Sequence, residues 1–311
     1  PANESPSQRY RFEHYLGSLS SHGISYDYRP FLNIDTWQIF FTPGNYGRKI
    51  AGIIKGFFRR WLLMCTIGKY DFVYIHREAA PLGPPLFEWI IAKIWRKKII
   101  FDFDDAIWIP VASENNKIAR YIKWFSKVAT ICRMSYKVSV GNNFLGEYAG
   151  KYCKNIIVVP TVVDTANTHA QLQDQDTGTP AVGWTGTFST LKYLDIILPV
   201  IKRLQEKHDF TFIVIANKDP QLPLKNYRFI YWSKETEIAD LLQLHIGLMP
   251  LNNTELEKGK CGFKAIQYMS LGIPAVVSPV GVNLLIITDG ENGFVAADEQ
   301  EWEDKIGKLL M

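Results

Sequence analysis

The residues best placed by type and spacing to do chemistry lie in the run Lys258-Gly259-Lys260-Cys261-Gly262-Phe263-Lys264, which leaves an acidic loop and enters a helical pattern. Glycines there let the backbone approach a ligand, and the unsatisfied amides of a helix start attract an anion. Lys260 and Lys264 add full positive charge at the end where the helix dipole disfavours a purely structural lysine. The combination fits a diphosphate; the rival is a turn and helix carrying solvated lysines. A second loop, Gly183 to Thr190, places Gly186 and Thr187 after a strand and before a helix. It lacks the GxGxxG fingerprint, and Ser189 or Thr190 serves equally well as an N-cap. A third cluster, Asp102, Asp104 and Asp105, gathers like charges at a strand end. That arrangement is costly unless a cation or a hydroxyl-rich ligand is close. Asp104 or Asp105 is positioned to orient or deprotonate a hydroxyl; a metal site, a helix cap and an ion pair to Arg77 are the alternatives. His76 and Glu78, at another strand end, face the same region if they are not structural.

Two series of alternating strand-like and helix-like segments must carry these groups, the pattern of parallel sheets with crossover helices. In the first, strands are expected at 24–29, 72–75, 99–103, 137–140 and 156–159, with helices near 9–21, 47–67, 85–96, 114–132 and 143–151. In the second, strands are expected at 181–185, 210–216, 228–231, 246–250, 275–278 and 293–296, with helices near 191–206, 235–243, 262–271 and 299–310. The polar stretch between them has little apolar periodicity. The reading is therefore an α/β chain of two doubly wound, Rossmann-like domains, 1–165 and 180–311, joined by a linker at 166–179. Ligands of such folds bind outside the carboxyl ends of the strands, in a cleft here expected to face both sheets.

A length of 311 residues gives each domain room for its own core, and 47% apolar with 21% charged residues excludes a disordered chain. The longest apolar stretches, such as Trp89 to Ile94, are broken by lysine well short of the roughly 18 residues that span a bilayer. The four cysteines form no CxxC pair, which points to a reducing compartment. The chain opens with Pro1, has no signal-like segment and lacks an opening strand, so both of its ends read as incomplete. The net charge of +4 hides a division: residues 1–165 hold 22 basic and 13 acidic residues, the remainder 13 and 18. Between Asp35 and Asp71 there is no carboxylate, yet Arg48, Lys49, Lys55, Arg59, Arg60 and Lys69 fall there among Ile, Phe, Trp and Leu. Cations within an apolar helical pattern suit an anionic membrane surface better than nucleic acid. A helix packed on its own domain with a solvated basic face is the alternative.

The run Cys261 to Ser278, followed by Ser278-Pro279-Val280-Gly281-Val282-Asn283 and Asp289-Gly290-Glu291-Asn292-Gly293-Phe294, resembles the donor-binding half of retaining glycosyltransferases of family 4, which have the GT-B fold. Ile75-His76-Arg77-Glu78 and Phe101-Asp102-Phe103-Asp104-Asp105-Ala106-Ile107-Trp108 are similar to acceptor-side segments of a bacterial cell-surface branch of that family. The resemblance implies transfer of a sugar from a nucleotide-diphosphate sugar to a glycan or lipid-linked acceptor, with retention and without a metal or other cofactor. It implies donor contacts from Gly186, Thr187, Lys192, Asn217, Trp232, Lys260, Gly262, Phe263, Lys264 and Gln267, and acceptor-side roles for Asp104, Asp105, His76 and Glu78. The family's paired glutamates fall on Gly259 and Gln267; an amide still hydrogen-bonds ribose hydroxyls. His245 replaces a common Asp and is expected to be structural. The expected setting is the cytoplasm, at the inner face of the cell membrane. The alternative is a nucleotide-sugar-binding module without catalysis.

Overall fold

The structure is a computed structural model that describes residues 1–2, 4–40, 42–110, 123–176 and 178–311. The chain divides into two compact units, Pro1–Thr161 and Val162–Met311. Residues 166–179, read as a linker, are tied to the second unit: Gln173 N donates to Leu271 O at 2.7 Å, and Gln175 Nε2 to Gly272 O at 3.3 Å.

The first unit is built on a parallel sheet in the order β1 (Phe72–His76), β2 (Lys98–Phe103), β3 (Lys137–Val140), β4 (Ile156–Val158). One face of the two middle strands is an apolar core, with Ile99, Phe101, Phe103, Val138 and Val140 all inaccessible, while the other face carries Asp102 and Ser139, also buried. The expected strand at 24–29 is absent. Ile24 and Tyr26 are half exposed and the segment pairs with no strand, so its alternation of apolar with polar residues has no sheet edge to join. The helix expected over 9–21 is broken into Pro6–Arg11, a 3-10 turn at Glu13–Tyr15 and Leu16–Ser21. A helix not foreseen, Ile34–Phe40, precedes the long helix Tyr46–Met64. The helix expected over 85–96 forms as Leu86–Trp89 and continues as a π-turn at Ile90–Ile94. Of the helix expected over 114–132, residues 114–122 lie outside the described residues; Lys127–Met134 is helical.

The second unit has a six-stranded sheet in the order β10 (Phe294–Val295), β9 (Ala275–Val277), β8 (Ile246–Met249), β5 (Ala181–Gly186), β6 (Thr211–Ala216), β7 (Tyr227–Tyr231). The chain fills one side from β5 to β7 and then crosses to the other at β8. Strand order therefore reverses between β5 and β8, where doubly wound folds open a crevice for ligands. One apolar layer, including Leu194, Ile197, Ile201, Phe212 and Trp302, covers one face of this sheet. Tyr193, Ile213, Leu244, Tyr268 and Ile273 belong to the layer on the other. Among the described residues no helix is long and apolar enough to cross a membrane.

Candidate functional site

In the first unit the parallel register sets His76 beside Asp102. His76 Nδ1 donates to Asp102 Oδ2 at 2.9 Å, and Arg11 Nη2 donates to Asp102 Oδ1 at 2.5 Å. Arg11 also reaches Ser139 Oγ and the Val159 carbonyl. The Arg11 and Asp102 side chains are both 1% exposed, so this ion pair is sealed from water. Burial alone would raise the Asp102 carboxyl, but the hydrogen bonds from His76 and Arg11 outweigh it and hold the group below its ordinary range.

Two residues along, Asp104 is gripped from two sides. Ser7 Oγ donates to its Oδ2 at 2.6 Å, while Arg77 Nε and Nη2 donate to its Oδ1 at 3.0 and 2.8 Å. Arg77 Nη2 also meets Asp105 Oδ2 at 2.8 Å. Burial opposes ionisation of Asp104, but the Arg77 charge prevails and its carboxyl titrates well below the usual range. Arg77 is itself desolvated, and the two aspartates raise its affinity for the proton. Its backbone holds φ 62°, a sparsely populated conformation for a side chain of this size, and its N–H still donates to the Asp102 carbonyl at 2.7 Å. Ser7 further links to His76 Nε2 at 2.9 Å. His76, Asp104 and Asp105 thus belong to one connected polar cluster at the carboxyl ends of β1 and β2. Glu78 stands apart, paired with buried Lys127 at 2.8 Å. Sequence reasoning did not foresee Ser7 and Arg11, which arrive from a helix more than 60 residues distant and carry no local signal. The Asp102 to Asp105 charges are answered by arginines, and among the described residues no group of three or more His, Cys, Asp or Glu side chains could hold a metal ion.

In the second unit the other candidates collect at the carboxyl ends of β5, β6, β7 and β8. Gly186 ends β5 where a Cβ would lie 2.3 Å from the Trp184 ring, so only glycine fits. Thr187 opens the 3-10 turn Phe188–Tyr193, its N–H donating to Thr190 Oγ1 at 3.0 Å. Asn217, just past β6, accepts the Phe188 N–H at 2.7 Å and pins the same loop. Trp232, just past β7, continues the ladder through its N–H to Ala216 O at 3.0 Å. Lys192 is exposed, 5.1 Å from the Tyr193 ring centre.

Gly262 caps the helix Phe263–Ser270 at φ 67°, and a Cβ there would lie 2.2 Å from Ile286. Both facts require glycine, and together they bring the backbone tightly around the helix start. Lys264, in the first turn, sets its ammonium 5.6 Å from the ring of buried Trp184. The loop ahead of Gly262 is fastened by Glu257, a fully buried carboxylate that accepts from Tyr193 Oη at 2.5 Å and from Thr254 Oγ1. The Tyr193–Glu257 bond ties the end of the 3-10 turn after β5 to the short helix Glu255–Lys258 that precedes Lys260, across the β5–β8 reversal. Sequence reading passed over Glu257 as part of an acidic loop. Gln267 is buried, its amide 3.5 Å from His169 Nε2. His245 Nδ1 accepts the Ala181 N–H at 3.1 Å, a structural contact at the foot of β5.

Residues 179–311 match the family described as Glycosyl transferases group 1. No curated protein sequence matches the chain. Among solved structures it is similar to Anabaena Alr3699/HepE in complex with UDP and glucose, with a TM-score of 0.61 and 15% identity over 95% of this chain and 79% of that one. It is similar to a sucrose-phosphate synthase of Thermosynechococcus elongatus, with a TM-score of 0.60 and 13% identity over 83% of this chain and 69% of that one. The catalytic domain of starch synthase IV from Arabidopsis thaliana, bound to ADP and acarbose, gives a TM-score of 0.57 and 12% identity over 81% and 67%. The fold is that of the GT-B class: two α/β units, each on a parallel sheet.

Proposed function

We propose that the chain is a glycosyltransferase of the retaining, metal-independent kind. It moves a sugar from a nucleotide-diphosphate sugar to a hydroxyl of a glycan or lipid-linked acceptor in cell-surface polysaccharide synthesis, in the cytoplasm. The observation that supports this reading is that Lys260, Gly262 and Lys264 fall inside the segment that matches Glycosyl transferases group 1, just past the Tyr193–Glu257 bond that fastens the chain after β8 to the turn after β5. As the sugar leaves, its pyrophosphate gains negative charge, and fixed cations aimed at that position stabilise the transition state more than the bound donor. Lys260, Lys264 and the first amides of the helix Phe263–Ser270 supply that charge, which elsewhere falls to a divalent ion. Asn217 and Trp232 border the nucleoside, and Lys192 adds charge at the rim.

The acceptor is assigned to the first unit. Asp104, kept ionised by Arg77, accepts a hydrogen bond from the acceptor hydroxyl and orients it. His76, joined to Asp104 through Ser7, completes that surface with Asp105, while Glu78, held by Lys127, lies outside it. A non-catalytic nucleotide-sugar-binding module is the second reading. It is favoured by Gly259 and Gln267 standing where the resemblance places the family's two glutamates, so that the charge a catalytic role would need is missing there.

Release of free nucleoside diphosphate from a panel of UDP-, GDP- and ADP-sugars, supplied with glycan and lipid-linked acceptors, separates the two. Turnover with one donor, lowered a hundredfold or more (about 3 kcal/mol of transition-state stabilisation) in Lys264→Ala, supports transfer. Saturable binding of a donor with no turnover across the panel supports the module.

A further inference from the structure

The helix Tyr46–Met64 packs on the first unit with its smallest residues. Gly52 lies against Thr36 and Gly56 against Phe31, so closely that a Cβ on either would come within 3 Å of its neighbour. Its large apolar residues point the other way: Tyr46 is 73% exposed, Ile54 and Phe58 each 62%, and Ile50, Trp61 and Leu62 about half. Because they recur at three- and four-residue steps, they form one broad face. An ordinary amphipathic helix would bury this face and expose the glycines.

Beside this face lies an apolar pocket of about 270 Å³, lined by Phe57, Trp61, Leu82, Pro84, Leu86 and Phe87. Exposed Arg48 and Lys55 flank the apolar arc, and no carboxylate occurs from residue 36 to 70. Arg60 is not part of the flank. Its guanidinium donates to the carbonyls of Ala79 and Arg29, and burial lowers it to about 10.

We propose that this face docks on an anionic phospholipid bilayer, with the helix lying in the headgroup region and the pocket receiving one hydrocarbon chain. Large apolar side chains with cations at their border, and no acidic residue among them, match a negatively charged leaflet in both polarity and charge. The surface belongs wholly to the first unit and holds whether or not the second unit transfers a sugar.

Co-sedimentation of the full chain with vesicles of phosphatidylglycerol and phosphatidylcholine in equal parts tests it, beside vesicles of phosphatidylcholine alone. The chain is expected to bind the anionic vesicles. Lys55→Glu should weaken that binding roughly fivefold or more, and Ile54→Glu at least as much. Both positions are exposed, and circular dichroism serves to check that the variants fold. Brominated acyl chains should quench Trp61, an effect lost in Trp61→Phe. Equal binding to both vesicle types, or binding unchanged in both charged variants, would overturn the proposal. So would concentration-dependent dimerisation of the wild type that Ile54→Glu abolishes, which would assign the face to a second copy.

Discussion

Asp102 carries its charge at 1% side-chain exposure only because Arg11 and His76 bind it. Removing Arg11 leaves that charge buried and uncompensated, so Arg11→Ala should cost about 3–5 kcal/mol, read from urea denaturation. The double variant Arg11→Met/Asp102→Leu should recover most of the loss, because an apolar pair needs no compensation. Asp104 behaves differently, being at the rim of the same cluster with 12% of its side chain exposed. Asp104→Asn keeps its shape and its bond from Ser7 but weakens its hold on an acceptor hydroxyl. The expected result is a lower kcat with the donor KM unchanged, measured by product release. The carboxylates of this cluster were legible in the sequence because three aspartates in four residues are conspicuous. Of the groups that make them tolerable, Arg77 was legible as an ion-pair partner, but Ser7 and Arg11 were not: they lie more than 60 positions away, and only folding brings them near.

Strands were legible from short runs rich in apolar residues. Most fall within a residue or two of their expected limits, the buried β5 and β6 as well as β1, where Phe72 and Tyr74 stand half exposed. Ile24 to Arg29 alternates apolar and polar residues as a strand can, yet has no partner strand, and pairing is a property of neighbours that local sequence does not encode. The helix Tyr46–Met64 was legible as amphipathic, but its orientation was not, since the buried side is the one that lacks side chains. Gly52→Leu should therefore destabilise the first unit by about 1–3 kcal/mol through overpacking against Thr36. Ile54→Ala, on the opposite side, should change stability by less than about 0.5 kcal/mol. Comparing the denaturant midpoints of the two variants checks which face is buried. The helix start at Gly262 was read from its glycine and lysines, while the bond that steadies the preceding loop, Tyr193 to Glu257, spans 64 residues and was not.

At the scale of the whole molecule, both units carry carboxylates held ionised in the folded state, Asp289 and Glu303 among them in the second. Asp102 and Asp104 in the first unit both titrate below their ordinary value when folded. Such groups contribute stability that is complete above the unfolded pKa, near 4, and is lost as pH falls through the folded value. Thermal unfolding followed downward from about pH 6 should show stability falling below about pH 4, with a shallower fall in Asp104→Asn. The proposed function rests on the second unit, where charge, glycine and sheet reversal coincide. Calorimetric titration of the chain with UDP, GDP and ADP tests that coincidence most directly. The account predicts saturable binding of at least one of them without added metal, weakened tenfold or more by Lys264→Ala (about 1.4 kcal/mol). Absence of binding by all three, or an affinity indifferent to both Lys260→Ala and Lys264→Ala, would contradict it.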